Sequence, residues 1–264
     1  MTKTIRILSL VVSAASLAVS CNSGSFTGKP YEVKVSGQGI DFLPDSSYAL
    51  VWKRGDDIRF DPVVAYSFIT GGKFELSFTD SLVRTYELYL LEDLSLPSQL
   101  QFFQFFSDKV PVKFTFSNEY GSIHADVDAS KENEEIYVYR NKRDEMFRVT
   151  DSLYNEYFEY INEKYIEPEA DFPEEGTDEY NRLKAWTDSI WEMEDVISPS
   201  YREWEQDRMR THKSLAALEK ITVTLESEIG EITISAADDS LSPVYLELFN
   251  EYKEIYPDNP MVRS

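Results

Sequence analysis

The sequence Val-Val-Ala-Tyr-Ser-Phe-Ile-Thr-Gly-Gly-Lys-Phe-Glu-Leu-Ser-Phe, residues 63–78, contains the strongest local signal of β-structure in the chain. Its two apolar runs, 63–69 and 73–78, flank Gly71 and Gly72, and adjacent glycines readily adopt the positive φ angles of a tight hairpin turn. The apolar residues of the second run alternate with polar ones and share one face: Phe74, Leu76 and Phe78. We therefore predict a β-hairpin at this point.

Further runs of strand length lie on both sides of this hairpin. They cover residues 31–35, 48–52, 86–91, 100–106, 112–116 and 121–127. With the hairpin they give about eight strands, and eight of the ten glycines precede residue 128. Short strands at regular spacing with turn signals between them are typical of a sandwich or a barrel. We predict an antiparallel β-sandwich or small barrel over residues 30–128.

In the second half of the chain, apolar residues recur at every third or fourth position, which indicates amphipathic helices. This spacing covers three stretches: 136–160, 180–197 and 201–232. Ser200 and Glu203 have the spacing of a capping box, so we predict one long helix that begins there. Ser242 and Pro243 predict the start of a last helix. The whole chain is expected to have an α+β fold, with an acidic α-helical domain over residues 129–264.

Residues 221–234 have a second interpretation, because they also alternate and Gly230 could form a hairpin turn. The helical spacing continues through the whole segment, and it favours the helix. We expect the apolar side of this helix to pack on other helices and on the β domain. That side carries Leu215, Leu218, Leu225, Ile229 and Ile232.

Aromatic residues occupy both faces of the strand predicted at 100–106. They are Phe102, Phe103, Phe105 and Phe106. One face must pack inward, and the other has to be covered by the helices, a partner or a ligand. We expect the helices to cover it, together with the face that carries Phe74 and Phe78. Trp186 and Trp191 are five residues apart and cannot share one narrow helical stripe, so at least one should lie beside it.

Charge and composition exclude several classes of protein. The 264 residues include 48 acidic and 26 basic side chains, a net charge of −22. This balance argues against nucleic-acid binding, because duplex affinity comes mostly from Lys and Arg. One cysteine excludes an intramolecular disulfide and a CxxC pair, and two histidines exclude a three-histidine metal site. Seven carboxylates within residues 167–179 are expected to form a solvated loop rather than a calcium site.

The N-terminus has the pattern of an export signal. Two basic residues precede an uncharged apolar run at residues 7–19. At about 1.5 Å per residue this run reaches about 20 Å, too short to span a bilayer. It ends Leu-Ala-Val-Ser-Cys at residues 17–21, which resembles a bacterial lipoprotein signal. We predict a signal peptide at residues 1–20, lipid attachment at Cys21 and a flexible tether at residues 21–29.

Four features follow one another along the chain: the cysteine of a lipoprotein signal, the hairpin sequence at 68–78, long acidic helices, and Tyr-Lys-Glu-Ile-Tyr-Pro-Asp-Asn-Pro at 252–260. In this order they resemble the N-terminal region of TlpA-like thiol–disulfide oxidoreductase lipoproteins of Gram-negative bacteria. The resemblance implies a β domain of unknown function and a helical linker, which in that family precede a thioredoxin domain with a CxxC pair. This chain has no second cysteine, so no catalytic residue of the family is carried over.

No P-loop, dinucleotide-binding motif or serine-hydrolase elbow occurs in the sequence. His124 and His212 have no second histidine or cysteine at ligand spacing, so both are expected to be solvated or hydrogen-bonded. We therefore predict no catalytic residue, cofactor or metal site. The chain is predicted to be a non-enzymatic cell-envelope lipoprotein on the periplasmic face, a binding or scaffolding module. Its expected partners are the membrane and another envelope protein. The alternative is a truncated or split N-terminal part of a thioredoxin-like oxidoreductase.

Overall fold

The computed structural model describes residues 29–93, 101–119, 122–165, 172–235, 242–257 and 259–263. Within these ranges the strands come first: β1 Tyr31–Gln38, β2 Tyr48–Lys53, β3 Ala65–Phe68, β4 Phe74–Asp80, β5 Thr85–Leu91, β6 Phe102–Phe106, β7 Val112–Glu119 and β8 Ser122–Asp128. The helices follow: α1 Lys131–Tyr165, α2 Asp178–Thr211, α3 Leu215–Ser235, α4 Pro243–Ile255 and α5 Pro260–Arg263. This order confirms the α+β class.

The strands form two four-stranded sheets that are not closed into a barrel. The strand order is β4-β1-β7-β8 in the first sheet and β3-β2-β5-β6 in the second. Strands β1 and β7 pair in parallel, with Val35 opposite Val112, so the prediction of a wholly antiparallel domain is wrong at this pair. Parallel neighbours need a long connection, and here the chain passes through the second sheet between them. The inward faces of both sheets contribute to one hydrophobic core.

The predicted hairpin turn is present, but its two flanks enter different sheets. Thr70 and Lys73 exchange backbone hydrogen bonds of 2.9 and 3.2 Å around the two glycines, whose φ angles of 55° and 66° are positive. Before the turn, Ile69 N–H donates to the Ser47 carbonyl, next to β2. After it, β4 pairs with β1. The tight turn is therefore confirmed, while the pairing of its two flanking strands in a hairpin is wrong: β3 pairs with β2, and β4 pairs with β1.

The long helix predicted from Ser200 onward is wrong at its start, and it is interrupted at residues 212–214. Helix α2 continues through Pro199 and ends at Thr211, and α3 starts anew after Ser214. The Ser214 hydroxyl accepts a hydrogen bond from the Ala217 N–H at 3.1 Å, as an N-cap does. The connection between α2 and α3 is three residues long, and the apolar residues on either side of it keep the 3–4 spacing. The periodicity of the sequence therefore gave no sign of the break. Residues 221–234 lie in α3, as the favoured interpretation predicts.

A second hydrophobic core lies among the helices. Leu215, Leu218 and Leu225 are buried there as predicted, while the side chains of Ile229 and Ile232 lie outside the described part. Strand β6 divides its aromatic rings between the two cores. Phe103 and Phe105 belong to the first core, Phe106 belongs to the second, and Phe102 is 40% exposed.

Two further expectations concern aromatic residues. The expectation that the helices cover Phe74 and Phe78 is wrong, because both rings point into the first core. There the centre of the Phe78 ring lies 6.5 Å from that of Phe105. Trp191 is 56% exposed, while Trp186 packs edge-on against a tyrosine of α1, so one tryptophan does lie beside the buried stripe.

Helix α4 begins as predicted, with Ser242 at the N-cap and a proline in its first turn.

Helix α1 is fastened to β6 by the buried side chain of Asn133. Its amide oxygen accepts from the Phe106 N–H at 2.7 Å, and its amide nitrogen donates to the Phe106 carbonyl at 3.1 Å. One turn further along α1, the Tyr137 hydroxyl donates to the Gln104 carbonyl at 3.2 Å. These bonds fix the position of α1 relative to the strand. No helix within the described ranges is long and apolar enough to cross a membrane.

Candidate functional site

A cleft of about 630 Å³ lies between the outer face of β6 and the helices α1 and α3. Phe102 and Gln104 face it because alternate residues of a strand point to the same side. The helices contribute residues at helical spacing: Ile136, Arg140 and Arg143 from α1, and Ala216, Lys220 and Val223 from α3. The volume falls within the range of small-molecule sites, about 300–1,000 Å³.

The charged side chains of this cleft are mainly cationic. The cations are Arg54, Arg140, Arg143 and Lys220, and the acids are Asp144 and Glu219. Two of these cations pair with acids outside the lining, Asp151 and Glu205, so the cleft with its ion-pair partners is close to neutral in a chain whose net charge is −22. The cleft is therefore a local exception to the acidic character of the protein.

Arg140 lines the cleft, and few of its hydrogen-bond donors are used. One nitrogen donates to the Phe102 carbonyl at 3.2 Å, and the nearest carboxylate oxygen, on Asp144, is 4.0 Å away. The guanidinium carbon lies 4.8 Å from the centre of the Phe103 ring, a cation–π contact. A guanidinium has five N–H donors, so this group retains the capacity to bind an anion.

Glu219 is a buried carboxylate on the α3 wall. Arg54 donates to one of its oxygens at 2.8 Å, and the amide of Gln104 donates to the other. Burial raises the pKa of this carboxyl, and the Arg54 charge counteracts part of that effect. Glu219 thereby joins α3 to the strand side of the cleft.

Lys220 completes the α3 wall. Its ammonium lies 2.9 Å from a carboxylate oxygen of Glu205 on α2 and 5.1 Å from the centre of the Tyr139 ring. The Tyr139 hydroxyl is buried without a hydrogen-bond partner, and burial raises its pKa. Tyr139 thus belongs to the second hydrophobic core, and its ring contacts Lys220 on the α3 wall of the cleft.

Arg143 is already neutralised. Two of its nitrogens bind the two carboxylate oxygens of Asp151 at 2.6 and 2.8 Å, and its guanidinium lies over the Phe147 ring. A bidentate pair of this kind holds the side chain against its own helix. Arg143 therefore forms part of the cleft wall, and its guanidinium is occupied by Asp151.

The sequence-predicted candidates lie elsewhere. Cys21 is outside the described residues. His124 is exposed on β8, and His212 is the exposed C-cap of α2. The two histidines therefore lie on different elements of the fold. The described part of the acidic loop, 172–179, contributes Glu179 to a surface cluster in which Lys164 and Arg182 donate to one of its oxygens at 2.6 and 2.8 Å.

No group of three or more His, Cys, Asp or Glu side chains within the described ranges could hold a metal ion. The cleft was not predicted from the sequence, because its lining residues come from five separate segments: Arg54, residues 101–104, residues 136–144, Tyr201 and residues 216–224. Part of the lining could have been recognised from residue spacing. Arg140 and Arg143 are three residues apart and share one face of a helix, and so do Lys220 and Val223. The partner strand could not be assigned without the fold.

Comparisons with known proteins leave the chain without an assigned family. No protein-family model matches it, and neither a curated protein nor a solved structure is significantly similar to it.

Proposed function

We propose that this protein is a non-enzymatic, lipid-anchored binding module of the bacterial cell envelope, whose ligand occupies the cleft between β6, α1 and α3. In this proposal the two sheets form a β-sandwich over residues 30–128, and the helices of residues 129–264 form the other wall of the site. Lipidation at Cys21 places the module at a membrane, with the periplasmic face favoured.

The observation that carries the binding role is the composition and rigidity of the cleft. Its polar groups converge on a space bounded by apolar surface, an arrangement common to small-molecule sites. The Asn133 bonds to the backbone of Phe106 hold α1 at a fixed distance from β6. The α1 and β6 sides of the cleft are therefore already in position before a ligand binds, and this lowers the entropic cost of association.

The ion pairs of the cleft support binding rather than catalysis. Arg54 is paired with Glu219, and Lys220 is paired with Glu205, so these charges hold one another in place. A catalytic acid or base needs a pKa near the working pH and access to the proton that it transfers. The alternative role, as part of a thiol–disulfide oxidoreductase, draws its support from the sequence resemblance.

Val223 offers a direct test of the binding role, because its side chain lines the cleft and is 40% exposed. Replacing it with tryptophan should fill the cleft without disturbing the core. The full chain is purified from bacterial membranes in detergent, and the small molecules that co-purify are identified by mass spectrometry. Wild type should retain a small molecule that Val223→Trp has lost.

The matched control is Val149→Trp, an exposed valine of α1 that does not line the cleft. It should retain the same molecule as wild type. A wild-type protein that retains nothing, or a Val223→Trp protein that retains the same molecule in the same amount, would show that the cleft is not a binding site.

A further inference from the structure

We propose that the ligand of the cleft is a small amphipathic monocarboxylate, held at its charged end by Arg140 and along its apolar body by Phe102 and Val223. This inference rests on the proposed function and adds the chemical class of the ligand and the residue that selects it.

Three of the four cations of the cleft are already paired with carboxylates. Arg54, Arg143 and Lys220 each have a carboxylate oxygen within 2.9 Å. Arg140 has its nearest one at 4.0 Å and gives one hydrogen bond to a backbone carbonyl. Of the four cations, Arg140 is thus the one whose charge and donors remain available to an incoming anion.

The guanidinium of Arg140 has a fixed orientation. Its contact with the Phe103 ring and its bond to the Phe102 carbonyl hold the guanidinium plane in place. A planar guanidinium matches the two oxygens of a carboxylate, which can accept two parallel hydrogen bonds. A fixed plane loses little side-chain freedom when it forms them.

Apolar surface lies beside this group. Phe102, whose carbonyl Arg140 binds, exposes 40% of its surface, and Val223 on the opposite wall exposes the same fraction. A molecule that places its charge on Arg140 can therefore cover both residues with an apolar body. Removal of this surface from water contributes about 25 cal/mol per Å².

The ligand is limited to a single negative charge by the pairing of the other cations. Arg54, Arg143 and Lys220 are each held by a carboxylate, so a second anionic group of the ligand would find no free cation in the cleft. Burial of a charge without a partner is costly. The cleft therefore selects against polyphosphates and dicarboxylates.

The test compares two ligands of nearly the same shape, phenylbutyrate and its neutral amide, by calorimetric titration of the full chain. The carboxylate should bind wild type about tenfold or more tightly than the amide, the usual effect of a hydrogen-bonded charge. Arg140→Met should remove this preference while leaving the affinity for the amide unchanged. Arg140→Lys, which keeps the charge without the planar fork, should be intermediate.

Lys142→Met is the matched control, because it removes one positive charge two residues away on α1 from a side chain that does not line the cleft. It should bind both ligands as wild type does. Acetate, which carries the charge without the apolar body, should bind far more weakly than phenylbutyrate. Circular dichroism of every variant checks that the fold is retained.

The outcomes separate this inference from the proposed function. Equal affinity for the acid and the amide, or an Arg140→Met protein with wild-type preference, overturns the inference. So does a failure of phenylbutyrate to bind while a neutral molecule is lost on Val223→Trp, a result that leaves the binding role intact. Absence of any molecule sensitive to Val223→Trp overturns the proposed function itself.

Discussion

Glu219 shows how a single residue couples the cleft to pH. Its pKa is raised by burial, so the folded protein binds the proton of this carboxyl more tightly than the unfolded chain does. The stability that this residue contributes is therefore fully present below its ordinary pKa, and it is lost as the pH rises through the raised value. Arg54 reduces this loss by favouring the ionised form, and the nearby Glu87 increases it.

Arg54→Met should make the loss of stability with rising pH steeper. Without the guanidinium, the buried carboxylate of Glu219 keeps its amide partner but loses its countercharge. We expect the free energy of unfolding at neutral pH to fall by about 2 kcal/mol, with a smaller change in acid, where the carboxyl is protonated. Thermal unfolding measured from mildly acidic to mildly basic pH gives this comparison.

Two further variants interpret the result. Arg59→Met removes an arginine from an exposed surface pair with Asp57, and its pH dependence should match that of wild type. In the double variant Arg54→Met with Glu219→Gln, the steeper dependence should disappear. If it persists in the double variant, the titrating group is not Glu219.

At the scale of elements, α3 links the two parts of the fold. One side of this helix carries Leu218, which is fully buried in the second core, and the other carries Lys220 and Val223 on the cleft. Most of the stability of such a helix comes from packing rather than from its intrinsic propensity. Packing of its apolar side therefore determines whether the cleft keeps its wall.

Leu218→Asp should destabilise the whole protein by about 4 kcal/mol or more, because it buries an unpaired charge and removes apolar contacts. Far-ultraviolet circular dichroism should show a lower melting temperature, and limited proteolysis should cut the helical half sooner. Ser227→Asp places the same charge at an exposed position of α3 and should change neither. An unaltered melting temperature for Leu218→Asp would mean that this side of α3 faces solvent.

The elements differ in how far the sequence alone could predict them. Alternation and paired glycines located the strands and the turn at Gly71 and Gly72, since both signals are local. Periodicity located the helical residues but not the break at Ser214, because a short connection preserves the 3–4 spacing. Helix α2 continues through the exposed Pro199, where a helix usually ends or kinks, and it has buried residues on either side, Ile190 and Met209.

The cleft required the fold itself. Arg140 reaches the Phe102 carbonyl from 38 residues away, and Arg54 reaches Glu219 from 165 residues away. Contacts of this kind depend on which strand lies beside which helix, and neither composition nor spacing encodes that choice. The same holds for Asn133, an inconspicuous polar residue in the first turn of α1 that proves to be fully buried.

At the scale of the whole molecule, charge and anchoring act together. The described structure begins at residue 29, and the predicted lipid site at Cys21 would be eight residues from it. An extended segment of this length spans at most about 28 Å. Without the predicted signal peptide, which contains Lys3, Arg6 and no acidic residue, the chain has a net charge of −24. It would be repelled from an anionic membrane surface over about one Debye length, ~8 Å at physiological salt. The anchor would thus hold the protein near the membrane while its charge keeps it from lying flat.

Cys21→Ser should release the protein from the membrane fraction, because the acyl chains supply the attachment in our proposal. Wild type should sediment with membranes and dissolve in detergent, and its N-terminal peptide should carry the mass of acyl groups. Ser23→Ala, which alters a neighbouring residue, should behave as wild type. Retention of Cys21→Ser on membranes, with no acyl mass on the wild-type peptide, would contradict lipidation.

The position of β1 has a mechanical consequence for a protein held by its N-terminus. This strand is the first of the described elements, yet it lies inside its sheet, between β4 and β7. Seven residue pairs join it to β4 and four join it to β7. Tension along the tether would therefore pull β1 lengthwise against two neighbours, and their hydrogen bonds would share the load instead of opening one after another. If the protein is anchored at Cys21 as we propose, β1 is thus the strand from which a pulling force is transmitted into the sheet.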